Sequence, residues 1–284
     1  MKFVPQYQAI KKHYLPKTAW AVLFTYLKML VMNRFIDKGA AGSVRLLTAT
    51  YSYSKRASLY GMFREIFIDQ NYYIPPTDKS LTIIDCGTNI GVSLLYFRTQ
   101  APNATITAFE PNPHTYEIVG ANVATNKLNV TIHPVGLGAA KSTATFYTDA
   151  HDLASQSGST TGHLATKNYD LTSFPVMIEP LSTYITGPVD ILKLDVEGAE
   201  GEVLAELETS NTLRHIKQIF IEYHFDGVHT KYPLGHMLSV LENAGFTYAL
   251  NSQIELPYTI PTEAVCFSYK IVAWRNEKLS TTLK

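Results

Sequence analysis

Four short stretches of this 284-residue chain put ionisable groups or glycines where chemistry could be done. In "TIIDCGTNIGVSLLYF" (82–97) Asp85 closes an apolar run, and Gly87 and Gly91 flank "TNI". In "ITAFEPNP" (106–113) Glu110 ends a second run, about 20 residues beyond the glycines. "LKLDVEGAEGEVL" (192–204) places Lys193, Asp195 and Glu197 at alternate positions, and "IFIEYH" (219–224) repeats that spacing with Glu222 and His224.

The first stretch selects its ligand by what it lacks. It has no G-x-x-x-x-G-K-[ST] loop for phosphates. The dinucleotide pattern G-x-G-x-x-G also fails, because Asn89 stands where the second glycine would let the backbone approach a pyrophosphate. Asp85 beside the turn would repel such an anion. S-adenosylmethionine has no phosphate and carries an ammonium and a sulfonium beside one carboxylate. Asp85 can meet the ammonium, directly or through water, and backbone N–H groups at the helix start can take the carboxylate. Gly87 allows a tight turn and close approach, and Gly91 lets the helix pack on the strand. Glu110 stands where a carboxylate accepts from ribose hydroxyls, and Pro111 and Pro113 turn the chain sharply behind it. NAD sites use the same acidic residue, so Glu110 alone does not separate the two cofactors.

Lys193, Asp195 and Glu197 would share one side of an extended strand end. Three ionisable groups in a buried strand are costly unless paired or functional. Pairing of Lys193 with Asp195 or Glu222 is the structural reading. Gly198 can end the strand without a side-chain clash.

The elements that must hold these residues follow from periodicity. After "YYIPPT" (72–77) the chain alternates strand and helix. Strands are expected at "LTIIDC", "ATITAFE", "NVTIHPVGLG", "VDILKLDVEG", "IKQIFIEYH", "TYALNSQI" and "CFSYKIVAWR", with helices between the earlier ones. "STATFYTD" (142–149) alternates like an added edge strand or hairpin. The fold class is therefore α/β: a doubly wound, mostly parallel seven-stranded sheet. Two consecutive late strands require one antiparallel strand near the C-terminus. Ligands in such sheets bind at the carboxyl ends of strands near the switch in strand order. That rule selects Asp85, Glu110, Val135 with Gly136, Asp195 with Glu197, and Glu222 with His224.

Residues 1–75 read as a helical N-terminal segment for packing, oligomerisation or substrate contact, and 76–284 as the cofactor-binding domain. "TAWAVLFTYLKMLVM" (18–32) is apolar but too short and interrupted to span a bilayer, which takes about 20 apolar residues. It packs on its own domain or a second subunit, or it touches a membrane surface. No small-residue cleavage site follows it directly. Residues 150–174 lose periodicity and form either a cover for the acceptor, carrying His151 and His163, or a solvated loop. His133 reads as structural. Tyr51, Tyr53 and Tyr60 with Lys55 and Arg56 read as packing more readily than as a sugar platform. The 24 basic and 24 acidic residues cancel, which removes any global electrostatic case for nucleic acid. Cys86 and Cys266 are too few for a disulfide framework and read as reduced core thiols.

"IIDCGTNIGVSLLYF", "ITAFEPNP", "LKLDVEGAEGEVL" and "IEYH" together resemble the core of the FkbM family of S-adenosylmethionine-dependent methyltransferases, over roughly residues 80–225. The departures are Cys86 and Thr88, where the family usually has Val and Ala. Both are small, so cofactor binding is expected to survive. The resemblance implies methyl transfer, often to a hydroxyl of a sugar or secondary metabolite, within a class I methyltransferase fold. It implies that Asp85, Gly87, Thr88, Asn89 and Gly91 surround the methionine part, that Glu110 with Pro111 holds the ribose, and that Val135 and Gly136 lie near the adenine. Asp195, Glu197 and His224 would face the acceptor, with Asp195 also reaching the cofactor.

Displacement at a sulfonium methyl needs an oriented acceptor and a group that takes its proton. His224 is the first choice as base, because its ordinary pKa lies near neutrality, with Asp195 or Glu197 orienting it or replacing it. Mg²⁺ on the acidic cluster would lower a hydroxyl pKa, but no ligand set is complete in the sequence. Three alternatives stay open: N-methylation of a peptide side chain, an NAD- or nucleotide-sugar-binding oxidoreductase, and a non-catalytic binding module. The acceptor is a small molecule, glycan or peptide. A donor made inside cells points to a cytoplasmic protein, with membrane association left open.

Overall fold

The computed structural model describes residues 10–155, 158–160, 170–225, 231–251 and 267–275. Its centre is the expected seven-stranded sheet, built from β3 (Thr82–Cys86), β4 (Thr105–Phe109), β5 (Val130–His133), β9 (Val189–Leu194), β10 (Ile216–Phe225), β11 (Thr247–Asn251) and β12 (Phe267–Trp274). The strand order is β11-β12-β10-β9-β3-β4-β5. β12 runs antiparallel to both β10 and β11, and the pairings from β5 through β10 are parallel. This is the doubly wound, mostly parallel arrangement that the sequence predicts, with its one antiparallel strand near the C-terminus. The central strands are apolar on both faces, since both are covered: Ile83, Ile84, Leu192 and Leu194 are all buried. The order reverses between β3 and β9, so their carboxyl ends open the crevice where a ligand belongs.

α3 (Val92–Gln100), α4 (Pro113–Thr125), α5 (Glu200–Thr209) and α6 (Leu234–Asn243) connect the strands. α4 starts with Asn112, whose side chain accepts from the His114 N–H, and with Pro113 in the first turn. The expected third strand is divided. β5 stops at His133, and β6 (Gly136–Leu137) joins a separate three-stranded sheet with β7 (Ser142–Asp149) and β8 (Leu171–Glu179). Pro134 lies between the two pieces and has no N–H to continue the ladder. β7 is the added strand the alternation predicts. Its partner β8 begins inside the stretch expected to lack periodicity and pairs antiparallel along the whole of β7.

The N-terminal segment departs from the helical expectation. α1 (Pro16–Phe35) is followed by a β-hairpin, β1 (Gly42–Leu46) and β2 (Ala49–Tyr53), then α2 (Arg56–Phe63), which continues into a π-helical turn over Arg64–Ile68. Val44 and Leu46, then Ala49, Tyr51 and Tyr53, point inward in strand alternation. The turn between them uses Leu47 at φ 49°, a residue type that does not announce a turn. The free edge of β2 is closed by side chains of α4. Asn126 exchanges both amide groups with Thr50, and Asn122 does so with Ser52, at 2.7–3.1 Å. These amides stand in for a third strand and cover an edge that would otherwise be open.

This segment shares the sheet's core. Tyr51 is fully buried and donates to the Gly91 carbonyl at 2.9 Å, and Phe63, Phe67 and Tyr96 pack ring on ring. Tyr53 accepts from Arg56, and Tyr60 stacks on Tyr26, so these aromatics pack. His133 stacks between Phe109 and Tyr184. Cys86 is a buried free thiol; Cys266 lies outside the described residues.

Candidate active site

The turn after β3 is built as its glycines require. Gly87 sits at φ +77°, and a Cβ there would lie 1.7 Å from the Asp195 carbonyl oxygen. Gly91 sits at φ +88° as the cap of α3, and a Cβ would meet Val119 at 2.9 Å. No larger residue allows the turn to pass this close to the β9 end and α4. Asn89 takes φ 50° between them.

This turn forms one wall of a cavity of about 220 Å³ at the β3–β9 switch. Gly87, Thr88, Asn89, Glu110, Pro111, Val135, Gly136, Asp195 and Glu197 all line it. Glu110 is buried and accepts from the Asn89 and Asn112 N–H groups, each at 3.0 Å. Burial pushes its carboxyl up to about 7 against those two hydrogen bonds and the nearby Lys193. Each of its oxygens keeps a lone pair for a hydroxyl donor.

Asp85 does not line the cavity. It is fully buried behind the turn, accepts from Thr88 Oγ1 at 3.0 Å and Ser93 Oγ at 2.5 Å, and faces Lys193 Nζ at 3.2 Å. Lys193 also pairs with Asp195 at 3.3 Å and donates to the Cys86 and Gly87 carbonyls at 3.2 and 2.8 Å. The expected Lys193–Asp195 pair is therefore one arm of a buried Asp–Lys–Asp triad. Burial alone would lower the lysine pKa, but Asp195 and Asp85 overcome this and raise it. Burial would raise Asp195, but Lys193 outweighs it, aided by His224 and Tyr72, and holds the carboxyl low. The triad ties the glycine turn to the β9 end.

The expected extended geometry stops short of Glu197. Glu197 takes φ 55° and Gly198 φ 105°, so the chain turns sharply rather than continuing as a strand. A left-handed non-glycine residue carries backbone strain and persists where its surroundings hold it. Two groups hold this one. Ser159 donates to the Glu197 carbonyl at 2.6 Å, and Glu200 accepts from the Val196 and Gly198 N–H groups at 3.1 and 3.0 Å.

His224 lies behind Glu197 and outside the cavity lining. Its Nε2 is 3.6 Å from Glu197 Oε2, and its Nδ1 is 3.0 Å from Glu200 Oε1. Burial would lower its pKa; Glu197 and Glu200 reverse this and raise it well above the ordinary histidine value. Glu197 itself is pushed up to about 8, mainly by burial, with His224 pulling it down and Asp195 pushing it further. The pair places a ring of the interior beside a carboxyl of the cavity.

Sequence reasoning missed Tyr72, Glu200 and Glu65. Tyr72 lies in "YYIPPT", read as a boundary, yet its hydroxyl donates to Asp195 Oδ2 at 3.0 Å and its ring lies 5.3 Å from Lys193 Nζ. Glu65 reaches the cavity from the π-helical turn, with Met62 and Ile66 beside it. Burial raises both Glu65 and Glu222, and Asp195 adds to each. Glu200 could have been found as an acid in the first turn of the helix after "LDVEG". His151 is exposed beside Asp170, away from this site, and His163 lies outside the described residues.

The family model described as a methyltransferase FkbM domain matches residues 85–248. The chain belongs to the FkbM methyltransferase family. A relative named Methyltransferase 1, from Beauveria bassiana, is 30% identical over 231 residues, covering 75% of this chain and 88% of its own. The 31-O-demethyl-FK506 methyltransferase FkbM of Streptomyces tacrolimicus is 27% identical over 233 residues, covering 70% and 86%. Among solved structures, M. jannaschii TYW2 in complex with AdoMet covers 85% of this chain and 90% of its own, at 13% identity and a TM-score of 0.44. The family model and the two named relatives make this chain an S-adenosylmethionine-dependent methyltransferase. The oxidoreductase and non-catalytic readings fall with that assignment.

Proposed function

We propose that this FkbM-family enzyme moves the methyl group of S-adenosylmethionine to a hydroxyl oxygen of a sugar, glycan or secondary metabolite. The observation that carries the reading is the Glu197–His224–Glu200 chain opening on the same cavity as the Gly87–Asn89 turn and Glu110. The turn's own N–H groups are spent on the Phe109 and Thr88 carbonyls, Glu110 and the Asn89 side chain, so the start of α3, where Val92 and Ser93 line the cavity beside Thr88 and Asn89, takes the methionine carboxylate. Asp195 faces the ammonium from the cavity, and Asp85 serves the cofactor indirectly, by fixing Lys193 and the turn. Glu110 beside Pro111 accepts from the ribose, and Val135 and Gly136 border the adenine.

The acceptor hydroxyl attacks the methyl carbon in line with the C–S bond. The O–C bond forms, the C–S electron pair returns to sulfur, and the hydroxyl proton passes to the Glu197 carboxylate. His224, held by Glu200, supplies the positive charge that keeps Glu197 able to ionise in a buried place. The base role expected of His224 thus moves to its cavity-facing partner. Asp195, Glu222 and Glu65 offer further carboxylate oxygens to hydroxyl donors on the acceptor. The name of the Streptomyces relative specifies a 31-O-demethyl acceptor, which favours oxygen over amide nitrogen.

Mg²⁺ is the competing way to activate the hydroxyl, since Asp195, Glu197 and His224 offer ligand atoms within 4.8 Å of one another. Turnover lost in EDTA and restored by Mg²⁺ would select it. The wider test offers hydroxylated sugars, polyketides and amide-bearing peptides with the cofactor and scores a gain of one CH₂ by mass spectrometry. Methylation confined to peptide amides would overturn the oxygen reading. The cytoplasm, where the donor is made, is the proposed compartment.

A further inference from the structure

Methyl transfer makes no use of the outer face of α1. The inner face of this 20-residue helix buries Ala19, Val22, Leu23 and Met29. The outer face leaves Trp20 46% exposed, Phe24 65%, Val31 56% and Phe35 79%. At 3.6 residues per turn, positions 20, 24, 31 and 35 fall in one stripe along the helix. Leu15 and Ile36, just outside the two ends of the helix, are also exposed. The Trp20 and Phe24 rings stack at 5.8 Å. A continuous apolar stripe on a folded surface marks an interaction site.

Charge indicates what covers it. The chain as a whole is neutral, yet residues 1–36 hold Lys2, Lys11, Lys12, Lys17, Lys28 and Arg34 and no acidic residue. Lys17, Lys28 and Arg34 lie on α1 itself and are exposed. An aromatic stripe with basic flanks and no acid is the composition of a helix that lies in the plane of an anionic bilayer. No described helix is long and apolar enough to cross a membrane. The buried side of α1 packs on α2 and the π-helical turn, whose Met62, Glu65 and Ile66 line the cavity. The stripe is therefore one layer removed from the acceptor wall.

We infer that α1 docks the enzyme peripherally on an anionic lipid surface, with Trp20, Phe24, Val31 and Phe35 at the acyl boundary and Lys17, Lys28 and Arg34 at the headgroups. The full chain is sedimented with phosphatidylcholine vesicles and with vesicles one-third phosphatidylglycerol, at low and high salt. Binding is expected to the anionic vesicles only, to weaken with salt, and to fall about tenfold or more in F24S/F35S. Both substituted positions are on the surface, and an unchanged melting shift with S-adenosylhomocysteine confirms that the variant is folded. Absence of binding to either vesicle, equal binding to both, or a dimer in sedimentation equilibrium that the double variant turns into a monomer would overturn the inference.

Discussion

Replacing Lys193 with methionine tests whether the buried triad holds the cofactor turn. The ammonium has two carboxylates at 3.2 and 3.3 Å and two carbonyls at 3.2 and 2.8 Å. Methionine keeps most of the volume and removes the charge, leaving Asp85 and Asp195 without their shared cation. Breaking a buried pair from one side costs about 3–5 kcal/mol. For a chain of this size about 1 kcal/mol moves Tm by roughly 2 °C, so the variant should melt about 6–10 °C lower at pH 7. The sign of the pH dependence follows from the shifts. Lys193 is raised when folded, so its contribution is complete below the ordinary lysine range and is lost as pH rises through the folded value. Asp195 is lowered, so its contribution is complete above the ordinary aspartate range and is lost as pH falls through the folded value. In Lys193→Met, protonation of one carboxylate relieves the uncompensated charge, so the gap to the parent should narrow from pH 7 to pH 5. Thermal unfolding of both proteins at the two pH values reads this directly. A variant melting within about 1 °C of the parent at pH 7, or a gap that widens on acidification, would refute the reasoning.

Glu110→Ala should weaken S-adenosylmethionine binding by about tenfold or more in calorimetry while leaving kcat at saturating cofactor nearly intact. Unchanged affinity would remove the ribose role. His224→Ala should lower kcat by about 10²-fold or more at unchanged cofactor affinity, because Glu197 loses its charge partner. Full activity would exclude the carboxylate–imidazole chain from the reaction. The Glu197 carboxyl must be ionised to take a proton, so kcat should rise with pH through a limb near the value of about 8 to which burial pushes that group. Glu197→Gln should abolish that limb, and a limb that survives the substitution would place the base elsewhere.

The sheet and its switch point were legible because they rest on local signals. "LTIIDC" and "VDILKL" are mostly apolar, as strands covered on both faces must be, and Gly87 and Gly91 stand where positive φ and close approach leave no alternative. What stayed hidden depends on contacts distant in sequence. The β1–β2 hairpin is fixed by the Asn126 and Asn122 amides, 76 and 70 residues away, and turns on Leu47 rather than glycine or asparagine. β8 gains its order from β7 across the loop, and its own sequence includes Pro175. Asp85 reads as a cofactor contact when only β3 is considered. Lys193, 108 residues later, turns its carboxylate inward. His224 reads as a free base until Glu200 and Glu197 are found on its two nitrogens. Strand ends identify which residues meet, whereas the direction each side chain faces is set by partners from other strands.

The cofactor that enters the cavity beside Gly87 and Glu110 decides the reaction most directly. Melting of the full chain is followed with S-adenosylmethionine, S-adenosylhomocysteine and NAD in parallel. A ligand at 100 times its Kd should add about 2.7 kcal/mol of stability. The expected result is an upward shift with the first two, none with NAD, and a reduced shift in Glu110→Ala. A shift with NAD alone, or an S-adenosylmethionine shift untouched by Glu110→Ala, would contradict the placement of the cofactor in this cavity.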